Sequence, residues 1–119
     1  MKALLAAFLI AVAPATPSAQ DLIGIYRLSQ MEMGGGLQLT LDGRFRYELD
    51  YGAVSEAAEG RWSLEADGIH LDSEPMDKRL LSELEHSDAS FKDQLLRIEG
   101  DTLVMDRYDA RMIFRPMKQ

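Results

Sequence analysis

The chain has 119 residues, no cysteine, 20 acidic against 13 basic side chains and a formal charge of −7. The absence of cysteine excludes a disulfide framework, a thiolate metal site and a lipid-modified N-terminal cysteine. The acidic balance argues against nucleic acid and anionic membrane surfaces as partners.

Residues 1–20 read as a secretory signal peptide. Lys2 supplies a minimal positive start, and Ala3 to Val12 form an apolar run too short to cross a membrane. Ala13-Pro14-Ala15 fits the small-x-small cleavage rule, and Ser18-Ala19-Gln20 is a looser second candidate. The mature protein is expected to begin between Thr16 and Asp21. N-terminal sequencing of the exported protein checks this, and an intact Met1 in the membrane fraction would contradict it. Residues 21–119 then form one domain of about 100 residues, periplasmic or secreted, with no membrane span after cleavage. Export without disulfides fits a bacterial periplasm better than a eukaryotic extracellular space.

Ile23 to Leu28 predicts a first strand, with Gly24, Tyr26 and Leu28 on one face. Met31 to Gly36 reads as a flexible joint, because Gly34-Gly35-Gly36 has little conformational restraint. Strands at 37–41 and 44–50 flank Asp42-Gly43, and strands at 60–65 and 69–73 flank Asp67-Gly68. Asp-Gly tolerates the positive φ that a type I′ hairpin turn needs. Leu37, Leu39, Leu41, Phe45, Tyr47 and Leu49 alternate with polar residues, so one sheet face is buried and the other wet. Tyr51 to Glu59 reads as a longer connection with one helical turn near 55–58. Met76, Leu80, Leu81 and Leu84 form a helical stripe that predicts one short helix near 76–86; an extended reading of 78–85 is the alternative. Strands resume at 94–99 and 102–106 through Gly100-Asp101, and 111–115 is the last, closed by Pro116.

The pattern predicts an all-β, mainly antiparallel fold, an about eight-stranded meander barrel, since full closure removes exposed sheet edges. An open curved sheet closed by residues 74–92 is the alternative.

The usual signatures of catalysis are missing: no Gly-x-Ser-x-Gly elbow, no His-Glu-x-x-His, no phosphate-binding glycine loop, no cysteine nucleophile. His70 lies between Ile69 and Leu71 and so points outward, and His86 follows a charged run. Both read as solvated, with a shared metal site involving Glu85 or Asp88 as the sharper alternative. In the expected strands Glu48, Asp50, Glu65 and Asp72 all alternate outward, so no carboxylate is placed for acid–base work. Met31-x-Met33 could aim two thioethers at a soft metal such as Cu(I), or simply fill gaps. The outward arginines Arg44, Arg46 and Arg61 read as cross-strand partners of Glu48 or Glu65, with a small cationic patch as the alternative. No catalytic residue, metal or cofactor is expected.

The aromatic side chains could line a ligand pocket, for which Tyr26, Tyr47, Tyr51, Trp62 and Phe114 are the candidate residues. They could equally plug a narrow barrel, because an eight-stranded interior is just wide enough for its own side chains or for one small ligand.

The elements Gly24-x-Tyr26, Leu39-x-x-x-Gly43-x-Phe45-x-Tyr47, Gly60-x-Trp62-x-Leu64, Ile69-x-Leu71, Gly100-Asp101-x-Leu103-x-Met105 and Phe114-Arg115 resemble small lipocalin-like (calycin-type) domains of secreted bacterial proteins. Tyr51-Gly52-Ala53 through Glu59-Gly60-x-Trp62 is similar to a pattern in secreted proteobacterial proteins of uncharacterised role. The resemblance covers most of the mature chain except 74–92. It implies ligand carriers, envelope-stress sensors or hydrolase inhibitors and supplies no catalytic motif. The expected function is therefore a periplasmic, non-enzymatic binding domain for a small apolar ligand or a protein surface. The alternative is an inhibitor or accessory protein of a secreted hydrolase, for which the acidic charge would suit a cationic partner.

Overall fold

Alternation between buried and exposed side chains organises nearly every element of the computed structural model, which describes residues 17–118. Most of the expected leader, with its first cleavage candidate, lies outside the described residues. A 3-10 turn at Ala19–Leu22 leads into β1 (Gly24–Gln30), β2 (Met33–Leu39), β3 (Arg44–Tyr51), β4 (Val54–Glu65) and β5 (Gly68–Glu74). The helix α1 (Lys78–Leu84) and the short β6 (Ser87–Asp88) follow, then β7 (Gln94–Glu99), β8 (Thr102–Arg107) and β9 (Ala110–Pro116).

Among the described residues, eight of the nine strands close into one antiparallel barrel. Its order is β3-β2-β1-β9-β8-β7-β5-β4, and β4 pairs back onto β3. β6 lies outside this ring and adds to β4 in parallel through Glu56↔Ser87 and Ala57↔Asp88. No helix among the described residues is long and apolar enough to cross a membrane. The helix reading of residues 76–86 holds for 78–84, where the Asp77 side chain caps the first turn by accepting from the Arg79 amide at 2.8 Å. No residue of α1 is buried. Its apolar stripe is half-covered surface, and only Met76, just ahead of it, is buried.

Three local expectations are corrected. Residues 33–36 are not a joint but the first half of β2, because alternation runs on through the glycines: Met33, Leu37 and Leu39 are buried. Gly35 sits between them on the inner side. A Cβ there would overlap the carbonyl oxygen of Glu48 on β3, so glycine is what lets the two backbones approach.

The Asp-Gly turns also differ. At Thr40–Arg44 the loop is longer than two residues: the Gly43 amide donates to Thr40 O at 3.1 Å and the Thr40 amide to Arg44 O at 2.9 Å. Gly43 alone is left-handed, at φ 80°, which is a type I turn with a bulge. Leu41 consequently leaves the core and is 75% exposed. At the second hairpin the turn residues are Ala66-Asp67, since Glu65 already pairs with Gly68. The turn with two left-handed central residues is instead Tyr108-Asp109, at φ 54° and 56°, between β8 and β9.

Residues 54–59 are strand, not connection. β3 and β4 pair without interruption from Tyr51↔Val54 to Arg44↔Arg61. This turns Glu56, Ala58 and Gly60 inward opposite Leu49, Tyr47 and Phe45, with Trp62 next on the same face. Small Ala58 and Gly60 face the bulky Tyr47 and Phe45, and the space above them is taken by Phe91. Its ring centroid lies 4.8 Å from that of Tyr47 and 6.2 Å from that of Phe45.

Candidate functional site

The five aromatic residues expected at a pocket are held inside the wall or at its rim. Tyr47 and Phe114 are completely buried with ring centroids 6.3 Å apart. Tyr26 and Trp62 are buried elsewhere in the same core. Tyr51 is half-buried and tilts against Tyr108 at 6.4 Å. The polar tips of the three buried polar aromatics are committed to the protein itself. Tyr26 Oη donates to Leu22 O at 2.8 Å, Trp62 Nε1 to Thr40 O at 3.0 Å, and Tyr47 Oη to Glu56 Oε2 at 2.8 Å.

Glu56 is the side chain that sequence reasoning missed. It is 2% exposed on the inward face of β4. The Arg107 guanidinium grips it as a fork, Nε to Oε2 at 2.9 Å and Nη2 to Oε1 at 3.0 Å. The hydroxyls of Tyr47 and Tyr108 complete the shell. Four donors thus fill the lone-pair directions of one carboxylate. Burial pushes the Glu56 carboxyl up, but the bonds from Arg107, Tyr108 and Tyr47 outweigh it and hold the group below its usual range. Burial, reinforced by Glu56, raises the Tyr47 phenol. Arg107 itself stacks between Phe91, 4.9 Å from the ring centroid, and Tyr108, at 4.8 Å. The network closes one end of the barrel. Tyr108 joins it from the left-handed turn, a conformation that costs roughly 1–2 kcal/mol for an L-residue.

The two histidines have separate partners. His86 Nδ1 lies 2.5 Å from Leu84 O, and its buried Nε2 has no hydrogen-bond partner, with Asp50 Oδ1 at 3.6 Å. His70 is not solvated as expected. Its Nδ1 is 2.5 Å from Asp93, its Nε2 is 2.6 Å from Asp67, and Glu65 stands 3.8 Å away. Hydrogen bonds to Asp67 and then Asp93 raise its pKa to about 9. Glu65, His70 and Asp93 present ligand atoms within 4.8 Å of one another. They could hold a divalent cation only by displacing the ring proton.

A raised pKa stabilises the fold fully below the unfolded value near 6.5, and that contribution is lost as pH rises through about 9. His70→Gln is therefore expected to lower the melting temperature at about pH 6, with the gap to the parent closing by about pH 10. Thermal unfolding across pH checks this, and a gap that stays constant would show that the imidazolium contributes nothing.

Met31 and Met33 do not converge. Met31 is 91% exposed on the β1–β2 turn, while Met33 is buried and accepts from Gln30 Nε2 at 3.8 Å. Two of the three outward arginines pair, with other carboxylates than expected: Arg44 with Glu74 at 2.9 Å and Arg46 with Glu59 at 3.3 Å; Arg61, directly opposite Arg44, forms no ion pair among the described residues. The register explains the second, since Arg46 lies directly opposite Glu59.

Several external clefts mark the surface of the described residues. One of about 730 Å³ runs between the β3–β4 turn, α1 and Tyr108. One of about 300 Å³ lies where residues 73–75 meet 88–92. Two smaller ones, about 280 and 170 Å³, lie on the outer faces of β9, β1, β2 and β3. None of these is lined by any of the five candidate pocket residues. No protein-family model, curated protein or solved structure matches the chain.

Proposed function

We propose that this chain is a secreted, periplasmic, lipocalin-like domain that binds without catalysis and acts through its outer surface on a protein partner. The observation that carries the reading is the filled interior. Tyr47, Phe91 and Phe114 stack across it, the polar tips of Tyr26, Tyr47 and Trp62 are spent on internal acceptors, and the Glu56–Arg107 fork seals one end. A carrier needs the opposite arrangement, a roomy apolar cavity with a few unspent polar groups.

The second reading, an inhibitor or accessory of a secreted hydrolase, is favoured by the excursion between β5 and β7. It leaves the ring, forms α1, and is pinned back by β6 and by the Ala89 amide donating to Ala57 O at 2.8 Å. An ordered excursion of this kind offers a partner a surface that needs little rearrangement on binding.

Native mass spectrometry of the protein purified from its own source, with titration by a hydrophobic fluorescent probe, tests the reading. The expected result is a chain free of small ligand, with Trp62 emission unchanged by the probe. A retained apolar molecule, or stoichiometric probe binding that quenches Trp62, would overturn it.

A further inference from the structure

We infer that the outer face of β9, β1 and β2 is a docking strip for an extended, acidic segment of a partner protein, centred on Arg27 and Arg115. The inference rests on the outside-acting reading above and names the face and the partner's chemistry.

The first observation is an uncompensated charge pair. Most arginines of this acidic chain hold a carboxylate: Arg44, Arg46, Arg79, Arg97, Arg107 and Arg111 each form an ion pair. Arg27 and Arg115 form none among the described residues. The register places them directly opposite each other, Arg27↔Arg115, across the β1–β9 pairing. Like charges in that position repel. Both line a cleft of about 280 Å³ together with Ser29, Met117 and Lys118, and no carboxylate side chain lines it among the described residues.

The second observation is what flanks the pair. Two residues away along the strands, roughly 7 Å at 3.4 Å per residue, Ile25 and Met117 form an apolar shelf, 49% and 53% exposed. They are neighbours through the Met117 amide, which donates to Ile25 O at 2.8 Å. On the other side Arg27 pairs with Gly36, where β2 carries no side chain. A chain can therefore lie flat against the sheet. Glu48, opposite Gly36 on β3, marks where the cationic face ends.

The spacing reads as a partner motif. An extended segment presents residues i and i+2 to the same side at that same 7 Å interval, so one acidic and one apolar side chain at i and i+2 meet the arginines and the shelf together. A bare inorganic anion would leave Ile25 and Met117 uncovered. The overall charge of −7 opposes any anionic partner at long range, a highly charged bilayer far more than a short segment with one acidic residue at each contact.

The test uses fluorescence anisotropy at low ionic strength with a labelled peptide repeating Ser-Glu-Ser-Leu, against Ser-Lys-Ser-Leu and Ser-Glu-Ser-Ser controls. Saturable binding of the first alone is expected. Arg27→Ser with Arg115→Ser should weaken it at least ~10-fold, and Arg61→Ser, which also forms no ion pair among the described residues and lies on β4 opposite Arg44, should leave it unchanged. Trp62 emission reports that the variants are folded. Equal binding to parent and double variant, or equal binding of both acidic peptides, would overturn the assignment. So would a parent that dimerises in sedimentation and becomes monomeric in the double variant, because the occupant would then be a second copy. Absence of peptide binding with Trp62 still indifferent to apolar probes removes this strip and leaves the outside-acting reading standing. Entry of the probe into the barrel removes that reading instead.

Discussion

Arg107→Met is expected to cost about 3–5 kcal/mol of stability, the range for breaking a buried ion pair by removing one partner. The loss exceeds the fork itself. Glu56 would remain on the inner face of β4 with only the Tyr47 and Tyr108 hydroxyls to solvate its charge. Urea unfolding measures the change. The double variant Glu56→Leu with Arg107→Met, which removes both charges, should recover much of it.

The pH dependence should reverse with the partner. In the parent the Glu56 carboxyl is held below its usual 4.5, so its contribution is present above that value and fades as pH falls through the lowered one. In Arg107→Met burial acts without the guanidinium and the carboxyl rises. The variant should then gain on the parent as the solution is acidified. A gap that does not narrow in acid would show that Glu56 is not charged in the folded protein.

Trp62→Ala should cost a similar amount, roughly 3–5 kcal/mol, as large aromatic deletions from packed cores do. Trp62 is 9% exposed, and both its nitrogens anchor the first hairpin loop. Its backbone amide donates to Gly43 O at 2.9 Å and its Nε1 to Thr40 O at 3.0 Å. Truncation therefore opens a cavity and leaves the Thr40 carbonyl with the Gly43 amide as its one remaining donor. Trp62→Phe keeps most of the volume, and its smaller cost, about 1 kcal/mol, reads the indole hydrogen bond. Because Trp62 is the only tryptophan, circular dichroism should follow the unfolding. A loss below about 1 kcal/mol for the alanine variant would mean the indole does not seat in the core.

Period-two alternation was enough to place Phe45, Tyr47, Trp62 and Phe114 on the buried side, and all four are there. It was enough for the barrel too, while the short helix was legible from a different period, the Met76/Leu80/Leu81/Leu84 stripe, which left an extended reading open beside it. It failed where side chains carry no polarity contrast. Gly34-Gly35-Gly36 has no inside or outside until Glu48 comes close, so β2 looked like a joint. Ser55-Glu56-Ala57-Ala58 contains good helix formers and no β-branched or aromatic residue. Its strand character comes from pairing with β3, a tertiary effect that overrides local propensity. Glu56 was hidden for that reason, and its partner Arg107 lies 51 residues on. The Asp93 side chain on His70 and the Arg115 opposite Arg27 were likewise hidden, since both depend on register between distant strands. The Asp-Gly pairs did mark hairpins, but the backbone took other turn geometries around them.

The barrel's connectivity has a kinetic consequence. Going round the ring, every strand pairing joins neighbours in the chain except β5–β7 and β9–β1. Most hairpins can therefore form locally and early, and the slow event is the long-range closure that brings the first strand to the last. That closure rests on three register pairs, Tyr26↔Pro116 to Leu28↔Phe114, against seven between β1 and β2. It is also the step at which Arg27 and Arg115 first meet. The nearly finished ribbon must push two like charges together to become a cylinder, so counterions that screen them ease the final approach.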